Sequence, residues 1–208
     1  MKTWTKMLFK VPPRQSGLLK FFCTSFMRSN VHLLEFLINY WDHDLGLFDL
    51  QGEFLEITLE DIYFIFGVSR RGAPVKFEGI GRGSDLLSVQ NYIDTYCTPG
   101  TQKRGSCIPI VHICSLPLKV LASTIVRVAG SSSVHLATRN QMRLVVECLQ
   151  GALYDWCSGV IPIMRKQLSD CKRGWRKKFG YSSILVAFFF ERVPGLSHVV
   201  PIPVHSLR

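Results

Sequence analysis

Apolar positions recur at helical spacing over most of this chain. From Val31 to Trp41, after a cap at Ser29-Asn30, residues Leu33, Leu34, Leu37, Ile38 and Trp41 fall on one face. Gly17 to Met27 offers a similar side through Leu18, Leu19, Phe22 and Phe26. Ser84 caps a segment to about Thr95 that buries Leu86, Val89 and Ile93. From Ile108 two apolar helical pieces meet at Pro117 and stop at Gly130. Thr138 and Gln141 make a capping box, after which Met142, Val145, Val146, Leu149, Leu153 and Trp156 keep one face. Gly159 reads as a break, and Pro162 as the first turn of a helix running to about Lys172. Tyr181 to Arg192 suits a buried strand by content, but its length and unbroken approach to Pro194 favour a helix.

Phe48 to Val75 departs from this pattern. Phe48 and Leu50 alternate with polar neighbours, Gln51-Gly52 suits a tight turn, and Phe54 to Ile57 returns, which predicts a β-hairpin. Thr58 then caps a helix. Its hydroxyl is placed to accept the Asp61 amide, and Glu60 and Asp61 put negative charge at the positive helix end. Ile57 and Ile62 are spaced as a staple across the cap, and Leu59, Ile62, Tyr63 and Phe66 share a face. Gly67 supplies a left-handed stop, with Val68 folding back. Beyond it, Arg70 to Pro74 forms a turn, Val75 to Phe77 a short strand, and Gly79, Gly81 and Gly83 a loop.

Composition adds a core. At 208 residues and 47% hydrophobic, with 14 Phe and 4 Trp, the chain has the apolar surface for one domain and not the make-up of a disordered one. Residues 1–16 are expected to form a basic extended arm, interrupted by Pro12-Pro13, and residues 195–208 a tail. The longest apolar run, Ile184 to Phe190, is seven residues, against the roughly 20 a membrane helix needs. The N-terminus lacks the apolar centre of a secretory signal, so the seven scattered cysteines are expected to be free thiols.

Charge changes the picture. Residues 29–69 hold eight acids and no Lys or Arg, while all 25 cations lie elsewhere with seven acids. Such a split either knits two faces of one domain or leaves a basic face for a polyanion. The densest cationic run is Arg165, Lys166, Lys172, Arg173, Arg176, Lys177 and Lys178, with Trp175 inside it. Three readings stay open: a solvated helix end, a nuclear import signal, or phosphate contact with Trp175 stacking on a base or sugar.

Other chemistries lose on pattern. Gly79-x-Gly81-x-Gly83 places its third glycine too early for a dinucleotide loop, and Gly100 to Gly105 lacks the following Lys of a phosphate cradle. Cys107, His112 and Cys114 have no partner to complete four zinc ligands. Asp42, Asp44, Asp49, Glu53 and Glu56 crowd beside one turn, not on the separate strands of a two-metal nuclease. A helix-turn-helix would need its second helix where Arg70 to Pro74 forbids one.

Two motif sets, in order, carry a family resemblance. The first is Trp41, Phe48-x-Leu50, Gly52-Glu53, Thr58-Leu59-Glu60-Asp61-Ile62, Phe66-Gly67-Val68 and Gly72-x-Pro74-Val75. The second is Leu153-Tyr154-Asp155-Trp156, Leu168, Cys171-Lys172, Gly174, Tyr181 to Leu185, and Phe189-Phe190-Glu191-Arg192-Val193-Pro194. Spanning roughly Phe36 to Pro194, they resemble the plant mobile domain, a transposon-associated module also labelled aminotransferase-like.

The resemblance implies a mobile-element-derived, non-enzymatic plant protein of the nucleus. Its implied work is that of an interaction module with a nuclear protein partner, in transposon silencing, genome integrity or meristem maintenance. Direct nucleic-acid binding through residues 165–178 is the alternative. Structural roles are implied for Thr58, Leu59, Glu60, Asp61, Gly67, Pro74, Asp155, Trp156, Glu191, Arg192 and Pro194. Plant mobile domains generally continue beyond the Glu-Arg-Val-Pro segment, whereas this chain stops fourteen residues later, so a non-functional truncated fragment is a second alternative.

The aminotransferase label does not carry over. Pyridoxal-phosphate chemistry needs a Schiff-base Lys, an opposing acid and a phosphate cup, and Lys119, the only Lys inside an apolar stretch, has no strand–helix alternation around it. No cofactor, metal, small-molecule ligand or membrane is implied. The fold expected is a mainly α, single-domain helical bundle over residues 17–194, with one small β-hairpin near residues 48–57.

Overall fold

The computed structural model describes residues 16–18, 20–21, 31–77, 84–98, 107–131, 133–175 and 178–193. The basic arm up to residue 15, most of the 17–27 segment, the Ser29-Asn30 cap, both glycine loops, Arg176, Lys177, Pro194 and the tail lie outside these residues.

Helix α1 (Val31–Asn39) leads into an antiparallel sheet of β1 (Trp41–Asp42), β2 (Leu47–Leu50) and β3 (Glu53–Leu55), in that order. Trp41, expected to close the helix, is instead the first strand residue and pairs with Phe48. Strands β2 and β3 form the expected hairpin. Leu50 faces Glu53 across Gln51 and Gly52, whose φ values of 59° and 98° match the twist of the flanking strands. Then comes α2 (Leu59–Asp61), which continues as a π-helical turn, Ile62–Phe66. The Thr58 cap is present as the sequence indicates, completed to a capping box by the Asp61 side chain, and Gly67 ends the turn at φ 67° with its amide donating to the Tyr63 carbonyl. Ile57, Ile62, Phe66 and Val68 are buried, whereas Leu59 and Tyr63 turn toward solvent. Tyr63 lies in the π-helical turn, whose i→i+5 pitch takes it off the expected face.

Downstream lie β4 (Ala73–Pro74), α3 (Ser84–Tyr96), β5 (Cys107–Pro109), a 3-10 turn at Ile110–His112, α4 (Leu116–Val128), β6 (Leu136–Thr138), α5 (Arg139–Leu149), β7 (Tyr154–Asp155), α6 (Trp156–Lys172) and α7 (Ser182–Arg192).

The expected helical bundle with a single hairpin is overturned. Of the described residues 57% are helical and 14% are in strands, spread over three small sheets, so the fold is helix-rich but mixed. Strand β4 runs parallel to β7, and β5 antiparallel to β6. These strands span two or three residues, too few to show alternation, and their partners lie far along the chain.

Several boundaries move for related reasons. Cys107 to His112 forms a strand and a 3-10 turn where a helical piece was expected, and Pro117 sits in the first turn of α4, where its missing N–H is tolerated. Pairing near Val75 falls at Ala73–Pro74, not at Val75 to Phe77. Helix α5 stops at Leu149, Leu153 is exposed, and Trp156 opens α6 under an Asp155 cap. Gly159 and Pro162, expected as a break and a start, both lie inside α6. Glycine is required at 159 because Val75 packs on the bare backbone, and a Cβ would meet its Cγ1 at 2.0 Å. Tyr181 to Arg192 is helical, as its length suggested.

Buried side chains from Leu18 to Phe189 form one cluster. Phe48 stands inside it, with ring centroids 5.0 Å from Trp41 and 4.9 Å from Phe189. Phe66 meets Phe21 at 4.7 Å and Tyr181 at 5.9 Å. Among the described residues, no helix is long and apolar enough to cross a membrane.

Candidate interaction surface

The two motif sets, distant in sequence, meet in space. The Asp61 carboxylate divides its oxygens: Oδ2 accepts the Thr58 amide at 2.9 Å and hydroxyl at 2.7 Å, while Oδ1 accepts Arg192 Nη2 at 2.6 Å and Nε at 3.0 Å. Burial works to raise the Asp61 carboxyl, but the Thr58 bonds and the Arg192 guanidinium together hold it below the usual carboxylate value. A second joint lies nearby. Trp156 donates its amide to the Ser69 carbonyl at 3.0 Å, and Ala73 donates to Leu153 at 3.0 Å. Pro74 stands opposite Asp155 across β4 and β7, and the buried Trp156 indole donates to the Ser16 carbonyl at 2.6 Å. Gly72 lies at φ 108°, with the Leu153 carbonyl 2.2 Å from where a Cβ would sit. Leu59, Glu60 and Glu191 remain on the surface.

These joints hold an aromatic edge. Ile62 and Phe66 point inward, and between them Tyr63 and Phe64 point out, their rings edge-to-face at 5.2 Å. Phe64 is 77% exposed, and Leu59 flanks the pair with its own face to solvent. Sequence reasoning missed this edge because Ile62 to Phe66 is apolar throughout. Nothing in its spacing marks Phe64 as the outward residue.

Behind Tyr63 a groove of about 450 Å³ is lined by Gly17, Lys20, Gly67, Val68, Ser69, Arg70 and Arg71. Lys20 Nζ lies 5.8 Å from the Tyr63 ring centroid, and Arg70 Nη1 sits 3.4 Å from Glu60. Arg70 and Arg71 read only as turn residues in the sequence.

The described members of the basic run point in different directions. Arg165 turns to Glu56 at 2.6 Å, and Lys172 donates to the carbonyls of Asn39, at 3.1 Å, and Trp41. Those contacts tie α6 to the end of α1 and to the segment between β3 and Thr58. Lys166 lies apart, in a cavity of about 280 Å³ with Val75, Lys76, Phe77 and Pro162. Arg173 covers the Trp175 ring at 4.9 Å, and that indole is 73% exposed; Lys178 is exposed as well.

Other clusters are engaged structurally. In a cavity of about 420 Å³ near Phe77, Gln141 bonds Ser131 and Thr138, and Gln167 bonds Gly130 and Gly180. Tyr154 donates to Glu147, which pairs with Arg143 at 2.6 Å; Arg143 holds Asn140, which donates to the Lys76 and Phe77 carbonyls. Burial, then Glu147, pushes the Tyr154 phenol up. Cys107, His112 and Cys114 do not bring ligand atoms together among the described residues. Asp42, His43 and Asp44 do, but Asp42 Oδ1 already accepts the amides of Asp44 and Leu45.

No family profile, curated protein or solved structure matches the chain.

Proposed function

We propose that this chain is a non-enzymatic, mobile-element-derived interaction module that works in the nucleus through the Leu59–Phe64 edge. Phe64 carries the reading: it is 77% exposed, yet its element is fixed by a capping box at one end and Gly67 at the other. An aromatic held on a rigid support gives up little conformational entropy when it docks, which is why such residues anchor protein interfaces. Turns of π-helix are also frequent at functional sites. The nuclear setting and a role in silencing, genome integrity or meristem maintenance follow from the motif residues alone.

Direct nucleic-acid binding by residues 165–178 keeps one specific support, the Arg173–Trp175 stack. Against it, Arg165 and Lys172 are spent on contacts inside the domain.

A photo-crosslinking amino acid placed at position 64, and separately at 175, tests the choice in nuclei expressing the protein. The expected result is a discrete protein adduct from position 64 that is lost with Tyr63→Asp. Adducts from 175 alone, or to nucleic acid, would contradict it. A cytoplasmic fluorescent fusion of the intact chain would remove the nuclear part.

A further inference from the structure

We infer that the open edge of the β1-β2-β3 sheet adds an extended cationic segment of a partner protein as a fourth strand, paired to Phe54 and held by Asp49 and Glu53. This surface is separate from the Leu59–Phe64 edge and stands or falls without it. Strand β3 pairs with β2 on one side and with no strand on the other. Asp49 donates its amide to the Tyr40 carbonyl at 2.9 Å, on the side away from β3. The Asp49–Phe54 pair is therefore the kind that exchanges no hydrogen bonds, which alternates with bonded pairs along an antiparallel ladder. So the Phe54 N–H and C=O project from the free edge, and neither meets a partner among the described residues. Main-chain groups left open in this way are what an added strand pairs with. The hairpin is also in place before anything binds, because Phe48 on its inner face is fully buried against Trp41 and Phe189.

Charge and ring chemistry select the occupant. Of the eight acids in residues 29–69, three meet an arginine: Glu56 with Arg165, Glu60 with Arg70 and Asp61 with Arg192. Asp49 and Glu53 meet no cation among the described residues. Asp49 Oδ1 accepts the Gly52 amide at 2.9 Å, and its other oxygen is open. Asp49 lies directly across from Phe54 on the outer face, and the Phe54 ring is 62% exposed. A Lys or Arg beside Phe54 in the added strand would lay its stem along that ring and bring its head to the carboxylate. Glu53 is the next residue of the same strand and is exposed as well.

Two other occupants fit less well. A second copy of this chain, edge to edge, would set Asp49 and Glu53 against like charges. The same carboxylates repel the phosphates of a nucleic acid.

The test uses the whole chain and fluorescence anisotropy with three labelled peptides: one alternating Lys and Val, the same with Glu for Lys, and the Lys peptide N-methylated on alternate amides. The Lys peptide is expected to saturate and to weaken severalfold from 50 to 200 mM salt. The Glu peptide should bind at least tenfold more weakly. The N-methylated peptide, with its charge intact and its strand pairing blocked, should lose at least fivefold. Glu53→Lys and Phe54→Ala, both at exposed positions, should each cost severalfold with unchanged thermal unfolding. The Phe54 amide should exchange with solvent at least tenfold more slowly when the Lys peptide is bound. Absence of saturation, equal binding of the N-methylated peptide, or indifference to Glu53→Lys would overturn the proposal. A Phe54 amide protected without peptide, in a chain that dimerises, would assign the edge to a second copy and overturn it too.

Discussion

Arg192 donates two hydrogen bonds to a single oxygen of Asp61 across 131 positions of sequence, so the end of α7 anchors the capped start of α2. The other Asp61 oxygen is given to Thr58, which makes one carboxylate both a helix cap and a tie between elements far apart in sequence. Arg192→Ala is expected to destabilise the protein by about 1–2 kcal/mol, discounted because its side chain is 45% exposed. Asp61→Ala should cost more, about 2–3 kcal/mol, since it also removes the cap. Urea unfolding of the singles and the double should show non-additivity of at least about 0.5 kcal/mol. Additive effects would mean the contact contributes nothing.

The same carboxylate sets a pH dependence. Its folded pKa lies below the ordinary value, so its stabilisation is fully present above about pH 4 and is lost as pH falls through the folded pKa. The stability gap between wild type and Asp61→Asn should therefore be flat from about pH 7 to 5 and narrow below about 4. A gap that widens on acidification would contradict the assignment.

The cationic residues should divide by where they point. Arg165 faces Glu56, with its Nε buried and unpartnered among the described residues, and Lys172 caps carbonyls at the end of α1. Alanine at either is expected to cost about 1 kcal/mol, or roughly 2–4 °C in Tm for a chain this size. Alanine at Arg173 should leave Tm within about 1 °C, as surface substitutions do. Calorimetry on these variants checks the division; equal effects at all three would contradict it.

Thiol reactivity should follow burial. Burial, aided by Glu147, pushes Cys148 up to about 12, and burial with Asp155 does the same for Cys157. Cys114 is exposed. Maleimide labelling at pH 7.5, read by peptide mass spectrometry, should modify Cys114 while Cys148 and Cys157 stay protected until the protein is unfolded.

Local signals in the sequence carried furthest. The Thr58 N-cap, the Thr138 capping box, the Gly67 stop and the Gln51-Gly52 turn all form where residue spacing places them, because each is settled within four or five residues. What was hidden depends on distant partners. Trp41 leaves its helix to pair with Phe48. Gly159, which looks like a breaker, is inside α6 because Val75 needs room against it. The charge split between residues 29–69 and the rest left open whether the two faces knit together or a basic face stays free; Glu56–Arg165, Glu60–Arg70 and Asp61–Arg192 are contacts of the first kind. No spacing rule could say which arginine goes to which acid. For the candidate edge the sequence held the cap and the stop but not the direction of Phe64.

Hydrogen–deuterium exchange over residues 59–68 separates a rigid docking edge from a frayed apolar turn. Slow exchange is predicted in the wild-type chain, at least about tenfold faster exchange in Arg192→Ala, and no change in α5. Unprotected wild-type amides across 62–67 would contradict the claim that this aromatic edge is held in place for a partner.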